Sequence, residues 1–207
     1  MLASLTSIPW YRRRWFDDHR PILPENSNAR TWLMWLFLAS LTAIFAPLIV
    51  IQLILRGDAG GWPPPGLVVP LPGFLFSTAL LVAISAVLHY AIRAAAADAR
   101  SRLRILVYLA LVMAIGFVGS QIANWREVLE SASTETTWRY IAYLYIFTAI
   151  HALHVIGGVV PLTVTAMRAT QERYSSRRQS GIKLCAMYWH YLDAVWLVML
   201  ITIFLKY

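Results

Sequence analysis

Two pairs of polar residues interrupt apolar stretches of this chain: His151 with His154, and His190 with Asp193, each pair three residues apart. At about 3.6 residues per turn, that spacing puts both members of a pair on one helix face. An ionised aspartate deep in a bilayer costs roughly 2.5–3.5 kcal/mol on insertion scales, so Asp193 has to be protonated or paired. An imidazole on a facing helix meets either need, and Asp193 is therefore expected to hydrogen-bond His151 or His154. Three chemistries are open to the four residues: a structural clasp between two helices, a proton-conducting polar cluster, or ligation. His151 and His154 share a face and cannot bind opposite faces of one haem, although either could pair with His190. The four-residue spacing and further carboxylates of carboxylate metal sites are missing. No metal ligand and no catalytic residue is assigned.

These side chains need long apolar helices to hold them, and the composition supplies little else. The 207 residues are 59% hydrophobic and 14% charged, with a mean hydropathy of +0.59, too few polar side chains to coat a soluble globule. We therefore expect an all-α integral membrane protein with five transmembrane helices, over residues 32–55, 68–92, 105–123, 138–167 and 184–205. Residues 1–31 are expected to form a polar N-terminal tail and 32–207 the five-helix transmembrane domain. The Arg12-Arg13-Arg14 triplet precedes Asp17 and Asp18 and then an apolar run of spanning length, which favours a retained tail over an export signal. Pro47 is expected to kink the first span, and Gly157, Gly158 and Pro161 to bend the fourth. Gly116 and Ser120 make a small-xxx-small pair suited to close helix contact. Glu127, Glu130 and Glu135 are read as an acidic loop, and the stretch from Ala94 to Arg104 as a helical turn or two in the headgroup region. Cys185, the one cysteine, is read as a small buried apolar residue.

Lysine and arginine divide 14 to 4 between the two sides implied by five spans, which puts the N-terminus inside and the C-terminus outside. The formal charge of +8 thus reads as a topology signal, and nucleic acid is excluded as a partner. With this topology His154 lies 14 residues, roughly 21 Å, from Arg168, and Asp193 lies 10 residues, roughly 15 Å, from Lys183, depths that permit contact. On the basic inner rim, Arg93, Arg168 and Arg173 are expected to hold anionic lipid headgroups. Trp10, Trp15, Trp32, Trp35, Trp62, Trp125 and Trp138 fall at or beyond span ends and read as interfacial anchors. Trp189 and Trp196, seven apart on one face beside the His and Asp, are candidates for lining a lipid or subunit groove, with core packing as the alternative. His89 reads as an interfacial side chain.

The run Phe147-Thr148-Ala149-Ile150-His151-Ala152-Leu153-His154-Val155-Ile156-Gly157-Gly158, with Tyr188-Trp189-His190-Tyr191-Leu192-Asp193-Ala194-Val195-Trp196, resembles the last two helices of subunit III of the haem-copper oxidases. Weaker likenesses over most of residues 32–205 include Phe37-Leu38-Ala39-Ser40, Trp62-Pro63-Pro64-Pro65-Gly66, Ser77-Thr78, and Gly116-Phe117 with Gln121. Five spans resemble the short bacterial form. Leu41 stands where the family pattern has a membrane glutamate, and Ala149 where it has glycine. The resemblance implies an accessory subunit of a cytochrome c or quinol oxidase in a bacterial cell (inner) membrane, without a redox centre of its own. It implies packing beside catalytic subunit I, with subunit II, haem and copper in the partner subunits, bound phospholipids, and support for proton uptake. The other readings are an accessory subunit of a nitric oxide reductase and an independent transporter or proton channel.

Overall fold

The computed structural model describes residues 27–58, 69–130 and 135–204. Five helices run in order: α1 Ser27–Asp58, α2 Leu71–Ala96, α3 Arg100–Glu130, α4 Glu135–Thr170 and α5 Ser180–Phe204. All five are long and apolar enough to cross a membrane. The chain is a multi-pass membrane protein. Helices overrun the hydropathy-based spans because hydrogen bonding along the backbone continues where the side chains turn polar. The acidic stretch read as a loop is one such case: Glu127 and Glu130 are the end of α3. Both α1 and α4 run unbroken through Pro47 and Pro161. The Arg12 triplet, Trp10, Trp15, Trp62 with its proline loop, and Lys206 lie outside the described residues.

Helices α2, α3, α4 and α5 pack each against the next, and α5 closes the ring against α2; α1 stands outside it on α5, with a slight contact to α4. Cross-helix pairs fix the directions. Ser77 bonds Ser120 while Leu80 lies on Gly116, and Trp125 bonds Thr148 while Tyr108 reaches Thr170, so α2, α3 and α4 alternate in direction. Phe37 lies on Tyr188 and Thr42 bonds Tyr191, so α1 runs parallel to α5. The small face of α3 seats α2 as expected: Ser120 Oγ is 2.9 Å from Ser77 Oγ, and Gly116 sits beneath Leu80.

Two turns at the same end of the ring are built alike. α2 ends with the Ala99 amide on the Ala94 carbonyl and the Asp98 amide on the Ala95 carbonyl; α4 ends with the Arg173 amide on the Arg168 carbonyl and the Glu172 amide on the Ala169 carbonyl. This hydrogen-bond pattern needs a left-handed residue after the helix, usually glycine. Here acidic residues take the position, Asp98 at φ 53° and Glu172 at φ 55°. Each then ties the turns together. Asp98 Oδ1 accepts from the Ser176 amide at 2.7 Å, and Glu172 pairs with Arg100 and Arg104. Helical continuation through 94–104 is thus interrupted at 97–99.

Candidate functional site

Trp196 of α5 is the residue around which the ring closes. Its indole stacks on Phe74 of α2 at 5.9 Å and 9°, meets Phe117 of α3 edge-on at 5.4 Å, and lies against His151 of α4 at 5.1 Å. Its Nε1 donates to Thr78 Oγ1 of α2 at 2.9 Å. One side chain therefore touches every other helix of the ring. Such aromatic pairs contribute about 0.5–1.5 kcal/mol each beyond area burial. Trp189 and Trp196 are each only 1% exposed, so of the two readings of this pair the burial within the chain favours core packing over groove lining. Trp189 instead packs against Gly158, where an added Cβ would lie 2.7 Å from Tyr188 and 3.4 Å from Trp189.

The four intramembrane polar residues separate into three environments. His151 is fully buried between Trp196, Phe117 and Phe45, and neither ring nitrogen has a hydrogen-bond partner among the described residues. His154, one turn on, is half-buried; its Nδ1 donates to the Ile150 carbonyl at 2.7 Å, and its ring lies 5.1 Å from Phe45 of α1. His190 and Asp193 face α2, where Asp193 lies beside Ser85, and His190 beside Asp193 and His89. Asp193 approaches Ser85 across this seam, but its Oδ1 and the Ser85 Oγ, both buried, close no hydrogen bond of good geometry. The expected bond from Asp193 to His151 or His154 does not form. The reason is angular: the stripe Trp189, Leu192, Trp196 and Met199 is the face of α5 buried in the protein. His190 and Asp193 each follow a stripe residue by one position, about 100° further round the helix. Among the described residues, no three His, Cys, Asp or Glu side chains converge as a ligand set.

A second polar cluster escaped the sequence reading. Asn124 Nδ2 donates to Ser77 Oγ at 3.1 Å, and the Ser77 and Ser120 hydroxyls share two hydrogens among their own 2.9 Å contact and the Gly73 and Phe117 carbonyls, which lie 3.0 and 2.7 Å from them. Asn124 lies so close to Gly73 that a Cβ there would come within 1.9 Å of its Oδ1. Gln121 is buried nearby on the same helix, with both amide atoms unpartnered. The sequence signal was present as isolated polar residues in apolar spans, but their partners sit some 40 or more positions away.

The basic residues divide as well. Arg168 and Arg173 join Arg30 and Arg178 around a recess of about 420 Å³ at the end of the molecule that holds the two tied turns. Arg93 is exposed in the last turn of α2 and does not line that recess. At Gly181 the recess meets an apolar groove of about 450 Å³ between α1, α4 and α5. Leu41, Phe37 and Met34 form the α1 wall of this groove, and His154, Gly157 and Tyr188 line its other side. On that side Tyr188 of α5 donates to the His154 carbonyl of α4 at 2.8 Å.

The family described as cytochrome c oxidase subunit III matches residues 31–206. The chain belongs to that family. Cytochrome c oxidase subunit 3 of Thermostichus vulcanus is 25% identical over 182 residues, 87% of this chain and 89% of the relative. The probable cytochrome c oxidase subunit 3 of Nocardia farcinica is 28% identical over 82% of this chain and 84% of its own length. The subunit 3 of Latimeria chalumnae is 29% identical over 98% of this chain and 80% of its own. The chain is thus an accessory subunit of a respiratory oxidase, and family membership implies a cytochrome c oxidase complex with subunits I and II.

Proposed function

We propose that the chain is the non-redox subunit III of a bacterial haem-copper terminal oxidase, with its N-terminus inside and its C-terminus outside the cell membrane. In this reading residues 1–31 form an inner tail, and 32–207 a five-helix scaffold that packs beside subunit I, retains phospholipid and supports proton uptake. The observation that carries it is the use made of the motif residues. Trp196 and His151 are spent on closing a helix ring, and His154 Nδ1 is spent on its own backbone. The haem and copper belong to the partner subunits. The 14 to 4 division of basic residues supports the orientation. The recess of Arg30, Arg168, Arg173 and Arg178 opening onto an apolar groove has the two halves that an anionic phospholipid needs.

Two measurements test this. The isolated chain should show no Soret absorption and no turnover, and in mild detergent it should copurify with a larger haem-bearing membrane protein; a coloured or active isolated chain refutes the proposal. Replacing Arg168 and Arg173 together with alanine should reduce the anionic lipid retained by the purified complex. Arg93→Ala, outside the recess, should reduce it less. Equal retention in all three proteins would remove the lipid assignment.

A further inference from the structure

The outward surface of this protein changes character at one seam. On α3, Val112 and Ile115 point outward, and on α4, Leu153 and Val160 do so; hydrocarbon solvates such side chains at no cost. Along the α2–α5 seam the outward groups include His89 and His190, both exposed, and the half-buried Asp193. They line up in depth. Measured along their helices, His89 is about 10 Å from the Ala96 end of α2, while His190 and Asp193 are about 15 and 20 Å from the Ser180 end of α5. α5 is 25 residues long, so Asp193 lies at its midpoint.

A bilayer offers no hydrogen-bond partner at that depth, and polar groups left unsatisfied there cost several kcal/mol each. Headgroups lie beyond the reach of an imidazole or a carboxyl on a short stem. The contacts within the chain leave the need unmet at the outward imidazole: His190 is exposed, lies beside Asp193 and His89, and makes no hydrogen bond among the described residues. The Asp193 Oδ1 is turned into the seam beside Ser85, buried, and closes none either. We infer that the α2–α5 seam docks a transmembrane helix of another subunit. That helix carries hydroxyl or amide side chains at the depth of His190 and Asp193. Such groups both donate and accept, as a mixed face of imidazoles and carboxyl demands. The inference rests on membership of an oxidase complex and adds which face makes the contact.

The test uses the intact complex in its native membrane. A benzophenone amino acid introduced in place of His190 should, on illumination, shift this chain by the mass of a larger subunit, whereas the same probe in place of Val112 should give lipid adducts. Lipid adducts alone from position 190, or a product with the mass of two copies of this chain, would overturn the inference. Replacing both residues, as His190→Leu with Asp193→Leu, separates docking from folding. The docked seam predicts a chain that stays monodisperse in detergent but is lost from the complex. A lipid-facing seam predicts full retention and a more stable chain, which also overturns the inference. A wild-type chain that fails to copurify with any haem protein would instead remove the functional reading beneath it.

Discussion

Gly73 and Gly119 show how much one hydrogen-to-methyl change can mean in this protein. A Cβ at Gly73 would sit 1.9 Å from Asn124 Oδ1, while one at Gly119 would meet nothing within 4 Å. Gly73→Ala must push Asn124 off Ser77, combining overpacking of about 1–3 kcal/mol with loss of a hydrogen bond of about 0.6 kcal/mol. Gly119→Ala should instead stabilise α3 by about 0.5–1 kcal/mol, the helical preference of alanine over glycine. Thermal unfolding in detergent should place the two variants on opposite sides of the wild type. A neutral Gly73→Ala would mean that the Asn124 cluster does not hold α2 to α3. At this scale the sequence was only half legible. His151, His154, His190 and Asp193 stand out as polar residues in apolar spans, but which neighbour each one faces depends on a 100° rotation per residue and on helix order. A chain read alone sets neither.

The tie between the α2–α3 and α4–α5 turns carries a pH dependence. The Asp98 carboxyl is held below its ordinary value of 3.8, chiefly because the Ser176 amide donates to its charged form, with the Ser176 hydroxyl and then Arg100 adding to the effect. A carboxyl lowered in the folded state contributes fully above its unfolded value and loses that contribution as pH falls through the folded one. Amide-exchange protection at Ser176 should therefore hold at neutral pH and fall below about pH 3.8, once intrinsic exchange is corrected. Asp98→Ala should lose that protection already at pH 7, and Asp98→Asn should keep it without the acid transition. Protection that ignores both substitutions would show that the tie is not made. The helices themselves were legible, because a run of about 20 apolar residues has few alternatives in a membrane. Their ends were not: α3 runs on to Glu130, past the last apolar turn. The two turns were hidden because Asp98 and Glu172 occupy positions where glycine would have been the visible signal.

For the whole molecule, orientation is the property most open to a direct check. The proposed topology puts the α4–α5 turn on the inner side. A cysteine in place of Arg177, which is exposed in that turn, should react with a membrane-impermeant maleimide in inverted vesicles and not in intact cells. Native Cys185 is buried, so it gives a low background in both. The opposite labelling pattern would reverse the orientation drawn from the charge count. That count was legible from the chain, as was the family, because the motifs on α4 and α5 are long. The closed ring of α2 to α5, with α1 outside it, was not legible, since hydropathy marks spans without saying which of them meet.

The seat of α1 is α5, through Phe37 on Tyr188 and Thr42 on Tyr191. Synthesis delivers α1 first and α5 last. During translation α1 therefore waits for its main seat until α2, α3 and α4 have been made, meeting only α4 through Phe45 before then, and the ring also lacks Trp196 until the same moment. Assembly is settled by the helix made after the other four: a ribosome that stops before Ser180 leaves four rods in the membrane and no keystone to join them.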